Sequence, residues 1–139
     1  MRLGLLGGTF DPFHNGHLGA AVAAIECANL DRVVFIPAAQ PPHRPPAIAK
    51  AEQRIEMARL GTEGESRFMV SDLELNREGP SYTVDTLKHI GQHRPEDELF
   101  LILGWDAAQL FSTWRKPDEV SDLATIVVVA RPGSEAPRE

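Results

Sequence analysis

Cysteine is nearly absent: Cys27 is the only one in 139 residues. No internal disulfide can form, which excludes a small secreted scaffold held by such bridges. Long apolar runs are missing too. Stretches such as Thr125 to Ala130 fall far short of the roughly 20 residues that a membrane helix needs. Met1 to Leu6 has neither the length nor the small-residue cleavage site of a signal peptide, so a cytoplasmic domain without membrane contact is expected. Cations are the minority charge, with 14 Lys+Arg against 20 Asp+Glu and a net charge of −6. That balance disfavours a nucleic-acid groove. It permits one small phosphorylated ligand, because backbone N–H groups and a few local cations can hold a phosphate in an acidic protein. Two common nucleotide signatures are also absent. The early glycines stand at 4, 7 and 8, so no G-x-G-x-x-G exists, and no Gly-Lys-Ser/Thr of a P-loop occurs.

What is present has the balance of one globular domain, with 42% hydrophobic and 24% charged residues. The pattern alternates along the chain. Leu3 to Leu6 predicts a buried strand ended by Gly7-Gly8. Leu18, Ala21, Val22, Ile25 and Ala28 predict a helix over 18–28, and Val33 to Ile36 a second strand. A proline-rich stretch, 37–46, reads as a surface loop. Residues 50–61 predict a helix turning Ile55, Ala58 and in part Leu60 inward, and Phe68 to Leu75 a strand with one phase slip. Val84, Leu87 and Ile90 predict a helix after Pro80, and Leu99 to Leu103 a strand stopped by Gly104. Ala107, Leu110, Phe111 and Trp114 have i, i+3, i+4, i+7 spacing for one helix, and Thr125 to Ala130 is a last strand. Strands apolar on both faces and alternating with helices predict an α/β domain. Its sheet is Rossmann-like, doubly wound and mostly parallel, with about five strands and helices on both faces. No repeat or linker divides residues 1–139.

The segment richest in chemistry is Gly7-Gly8-Thr9-Phe10-Asp11-Pro12-Phe13-His14-Asn15-Gly16-His17, between the first strand and the first helix. Ligands of open parallel sheets bind at the carboxyl ends of strands, beside helix N-termini. Paired glycines let a backbone approach a phosphate, and a helix start near Gly16 aims free N–H groups and a positive dipole end at the same place. His14 and His17, three apart, can face one point and donate to a phosphorus centre as it becomes pentacoordinate. Plainer readings stand beside this one. A glycine pair after a strand is often only a tight turn. Two histidines at i, i+3 with Asp11 could bind a metal. Thr83, Ser81 and Asp106 are helix-cap residue types, and Trp114 lies on an apolar stripe.

The run Gly7-Gly8-Thr9-Phe10-Asp11-Pro12-x-His14-x-Gly16-His17 resembles the signature of the nucleotidylyltransferase superfamily, in its bacterial nicotinate-nucleotide adenylyltransferase form. Three further segments resemble that family. They are Pro37-x-x-x-Pro41-Pro42-His43-Arg44 (with arginine where the family has lysine), Ser81 to Leu87, and Leu103-Gly104-Trp105-Asp106 followed by Phe111 and Trp114. The resemblance runs from residue 3 to Gly133.

It implies adenylyl transfer from ATP to nicotinate mononucleotide, giving deamido-NAD and pyrophosphate, a step of NAD synthesis. It assigns catalysis to His14 and His17. ATP binding falls to Gly7, Gly8, Thr9, Phe10, His14, His17, Gly104 and Asp106. Nicotinate-nucleotide binding falls to His43, Arg44, Tyr82, Thr83 and Trp114. Mg²⁺ would accompany ATP, and no protein metal site is implied. The oligomeric state stays open, a homo-oligomer included. Other acceptors of the superfamily (phosphopantetheine or cytidylyl-type substrates) and a non-catalytic nucleotide-binding module are the alternatives. Family members continue beyond the Arg-Pro-Gly turn into a Ser-Ser/Thr-x-x-Arg segment that holds ATP. Nothing like it follows Ser134, so weak ATP binding and slow turnover are expected of these 139 residues.

Overall fold

The computed structural model of the chain describes residues 1–8, 10, 13–38, 50–75 and 82–129. Five strands form one sheet: β1 (Arg2–Gly8), β2 (Arg32–Pro37), β3 (Phe68–Val70), β4 (Glu98–Gly104) and β5 (Thr125–Val129). Their spatial order is β3-β2-β1-β4-β5, and every pairing is parallel. Five helices connect or flank them: α1 (Asn15–Ala28), α2 (Ala51–Thr62), α3 (Thr83–His93), α4 (Trp105–Gln109) and α5 (Pro117–Leu123).

The two-residue side-chain period divides the strands between two cores. Leu3 and Leu5 of β1, Val34 and Ile36 of β2, and Leu99, Leu101 and Leu103 of β4 pack with Val84 and Leu87 of α3 and Val120 of α5. The alternate set, with Leu6, Val33, Phe35, Phe100 and Ile102, packs with Ala21, Ala24 and Ile25 of α1. Both faces are covered, which is why these strands read as unbroken apolar runs.

Four sequence expectations change in detail. β1 does not stop at Gly7-Gly8. Both glycines pair with β2, in register with Ile36 and Pro37, and the Gly8 carbonyl accepts the Ala38 N–H at 2.8 Å. β3 is three residues long. The Ser71 hydroxyl accepts the Leu73 N–H, and Leu75 N–H returns to the Asp72 carbonyl, so local bonding bends the chain before the alternation can continue. The stripe over 107–114 is not one helix. α4 ends at Gln109, a 3₁₀ turn follows at Phe111–Thr113, and Trp114 is extended. The Thr113 hydroxyl competes there for the Leu110 carbonyl at 2.6 Å, and Leu110 is exposed. Finally, Leu60 and Val22 point to solvent, while Ala24 fills the place given to Val22.

β1 lies where the connections reverse direction across the sheet. The β1–β4 register runs from Arg2↔Glu98 to Leu5↔Leu101. Beyond it β1 continues against β2 to Gly8, and β4 against β5 to Gly104. The two strands part over their last three residues, which opens the crevice where ligands of such sheets bind.

Candidate active site

The chain leaves β1 through Phe10, whose φ of 51° lies in the left-handed region. That conformation costs a bulky residue about 1–3 kcal/mol. Burying the ring, 2% exposed, contributes roughly 1.5–3 kcal/mol in return. Its neighbours are aromatic: Phe13 at 5.4 Å, Phe35 at 6.1 Å and the His17 ring at 4.8 Å between centroids. Among the described residues of this loop the left-handed conformation falls on a phenylalanine and not on the glycine pair. Gly8 packs under it, since a Cβ there would come to 3.3 Å of the Phe10 ring.

His14 is the N-cap of α1. Its Nδ1 accepts the Gly16 N–H at 3.0 Å, and His17 Nδ1 accepts the His14 N–H at 3.0 Å. The two rings stack at 3.9 Å. This reciprocal cap has two consequences. It uses two of the amide donors that the helix end was expected to offer an anion. It also fixes the chemistry of the rings: a neutral imidazole that accepts at Nδ1 carries its proton on Nε2. Each ring is therefore the tautomer that donates from Nε2. Gly16 is required between them, because a Cβ there would lie 2.7 Å from His14 Cε1. No acidic residue stands in the first turn of α1 itself, so that turn supplies no anion to the positive helix end. Asp11, the third member of the metal alternative, lies outside the described residues, as do Thr9, His43, Arg44 and Ser81. Among the described residues no three His, Cys, Asp or Glu side chains gather as a metal site.

Across the crevice, Gly104 is the N-cap of α4 in extended conformation, and Asp106 stands in that helix's first turn. Tyr82 is the N-cap of α3 and makes no side-chain cap bond, so neither Asp106 nor Thr83 holds the cap position its residue type allowed. Tyr82 and Trp114 are half-buried at the edge of the α3-side core. Trp114 packs on Phe111 at 5.3 Å, and the Arg115 guanidinium lies 4.9 Å over the Tyr82 ring. The structure thus brings Tyr82, Thr83 and Trp114 to one region and adds Arg115, which the sequence reading missed. Arg54 was missed as well. It is buried and donates to the Ala38 carbonyl, whose own N–H is bonded to Gly8. Its signal was a charged residue on the inward face of an amphipathic helix.

Residues 5–139 match the family model described as cytidylyltransferase-like. A "Probable nicotinate-nucleotide adenylyltransferase" of Thermus thermophilus is 53% identical over 133 residues, covering 96% of this chain and 71% of the relative. The chain belongs to the nicotinate-nucleotide adenylyltransferase family. A second member, from Citrifermentans bemidjiense, is 48% identical over 135 residues, covering 96% of this chain and 62% of its own length. Family members thus extend past the portion aligned here. Among solved structures, the Plasmodium falciparum nicotinic acid mononucleotide adenylyltransferase complexed with APC superimposes with a TM-score of 0.81 at 16% identity, over 98% of this chain and 67% of that one. The same enzyme complexed with NaAD gives 0.75 at 14% identity, over 94% and 75%. At such identity the likeness is one of fold. No helix among the described residues is long and apolar enough to cross a membrane.

Proposed function

We propose that this family member transfers the adenylyl group of ATP to nicotinate mononucleotide, giving deamido-NAD and pyrophosphate in NAD synthesis. The observation that carries the reading is the reciprocal His14–His17 cap at the carboxyl end of β1. It supports two Nε2–H donors beside a helix N-terminus whose first turn carries no acid. The family's names and the P. falciparum complexes support the substrates.

The nucleophile is a phosphate oxygen of the mononucleotide, ionised at neutral pH, so no general base is needed. It forms a bond to the α-phosphorus of ATP as the bond to the pyrophosphate oxygen breaks, and the pyrophosphate leaves with that electron pair. The protein aligns the two and stabilises charge on the transferring phosphoryl. His17 donates to that group and His14 to the adjoining phosphates. Gly7, Gly8, Thr9 and Phe10 are the residues given to ATP, with Gly104 and Asp106. His43, Arg44, Tyr82, Thr83 and Trp114 take the mononucleotide, and Arg115 offers a further fork beside Tyr82.

Mg²⁺ belongs to this reading as the partner of ATP. It would enter with the phosphates of ATP, as Mg²⁺ commonly does with nucleotides. Its chemistry is to neutralise charge on the departing pyrophosphate. A cytoplasmic location follows from the substrates.

Pyrophosphate release measured under single-turnover conditions, with saturating ATP and a panel of acceptors, tests the proposal. Nicotinate mononucleotide should give deamido-NAD, identified by mass. Product from phosphopantetheine or a cytidylyl acceptor instead, or from no acceptor at all, would overturn it.

A further inference from the structure

His17 is held by more than its cap. Its ring lies between two others, His14 at 3.9 Å and 30° and Phe13 at 5.2 Å and 27°, with Phe10 edge-on at 89°. Phe13 is the outer plate of this stack. Its other contacts reach away from the loop, to Phe35 of β2 at 5.4 Å and to α2. On α2 it meets Gly61, where a Cβ would lie 2.5 Å from Phe13 Cε1 and 2.6 Å from Cδ1. Those distances exclude any side chain at 61 while the Phe13 ring keeps its place. Phe10 and Phe35 pack edge-on against the same ring, which is half-buried. A Cβ at position 61 would therefore shift the Phe13 ring out of its present stack on His17.

Helix propensity sharpens the point. Gly61 lies within α2 with a negative φ, and alanine is the better helix former there. The local backbone has no use for glycine; the Phe13 ring has.

We propose that Phe13 and Gly61 form a complementary pair that positions the His17 imidazole, Gly61 acting through Phe13 across the gap between α2 and the β1–α1 loop. Neither touches the reacting atoms, so both are positioning residues. The pair rests on the catalytic role given above to His17, but its geometry can be tested apart from activity.

The experiment is a double-mutant cycle on the full chain, with Gly61→Ala, Phe13→Ala and the pair combined. Each protein is read by the His17 ring-proton resonances and by kcat and KM. A phenyl ring stacked on an imidazole shifts those resonances through its ring current. Gly61→Ala should move them and lower kcat about tenfold or more with KM within about twofold, the mark of misplaced catalytic groups. In the Phe13→Ala background Gly61→Ala should change neither further. Equal effects of Gly61→Ala in both backgrounds, or unmoved resonances, would overturn the proposal. If Gly61→Ala does not fold, Phe13→Leu keeps the apolar bulk and removes the flat ring. It should reproduce the resonance shift and the kcat loss, and wild-type values there would equally overturn the pair. A wild-type chain without turnover would refute the catalytic reading alone, and the resonance cycle would then decide the pair by itself.

Discussion

At its C-terminal end α1 is finished by the protein itself. Asn29 takes the left-handed cap conformation, and Arg2 donates to the Ala28 and Asn29 carbonyls at 2.7–3.2 Å. That guanidinium also lies 4.5 Å over the Phe100 ring and pairs with Glu98. Cation and negative helix end meet inside one chain, and the arrangement serves stability. At the N-terminal end the described residues supply nothing of this kind. The cap is made of two imidazoles, the first turn has no acid, and the entry runs through a phenylalanine at positive φ. Two ends of one helix thus follow opposite rules. One is met by a cation of its own protein, and the other has a first turn without an acid and a cap of two imidazoles.

Substitutions at each end should separate the two behaviours. The largest effect belongs to His17→Ala, which should lower kcat by about 10²–10³ with less change in KM, the usual cost of removing one preorganised donor to a transition state. Steady-state kinetics read it, and unchanged turnover would take His17 out of that role. Arg2→Met at the opposite end should do the reverse. A loss of about 1–2 kcal/mol in urea unfolding is expected, with activity per folded molecule retained. A fall in activity at equal folded fraction would contradict the division between the ends.

Smaller and more pointed is Asn15→Asp, which supplies the acid that the first turn of α1 lacks. It should stabilise the fold by about 0.3–1 kcal/mol through the helix dipole. The same charge should raise KM for ATP by repelling phosphate. A more stable protein with unaltered KM would mean that the helix end faces no anion.

The smallest effect lies outside the comparison, between α3 and α5. The Lys88 ammonium at 2.6 Å holds the Glu119 carboxyl below the ordinary carboxylate range. Since the folded value is the depressed one, the stabilisation is present above the ordinary value and lost as pH falls through the lower one. Both groups are exposed and screened, so Glu119→Gln should shift Tm little and remove only the most acidic part of the stability profile.

Much of this molecule was legible without coordinates. The apolar runs at 3–6, 33–36 and 99–103 read as strands buried on both faces, the pattern of a parallel sheet covered by helices. The histidine pair pointed to phosphate chemistry once lysine-based loops were missing. Two of the failures have a common cause. Leu73, Leu75, Leu110 and Trp114 continued an apolar pattern, yet Ser71 and Thr113 offered the backbone local partners that ended strand and helix first. Periodicity counts side chains and is blind to such competition.

Order along the chain determined the alternation of strands and helices, the place of the histidine loop after β1 and the family to which the chain belongs. These are local patterns of apolarity and residue type, and they need no partner to be read. The tertiary structure alone decided that Phe10 takes the left-handed conformation, that Gly61 makes room for Phe13, and that Arg115 joins Tyr82 and Trp114. Each depends on a contact between segments distant in sequence (Phe10 with Phe35, Gly61 with Phe13, Arg115 with Tyr82), governed by the volume and direction of side chains once the sheet has brought them together.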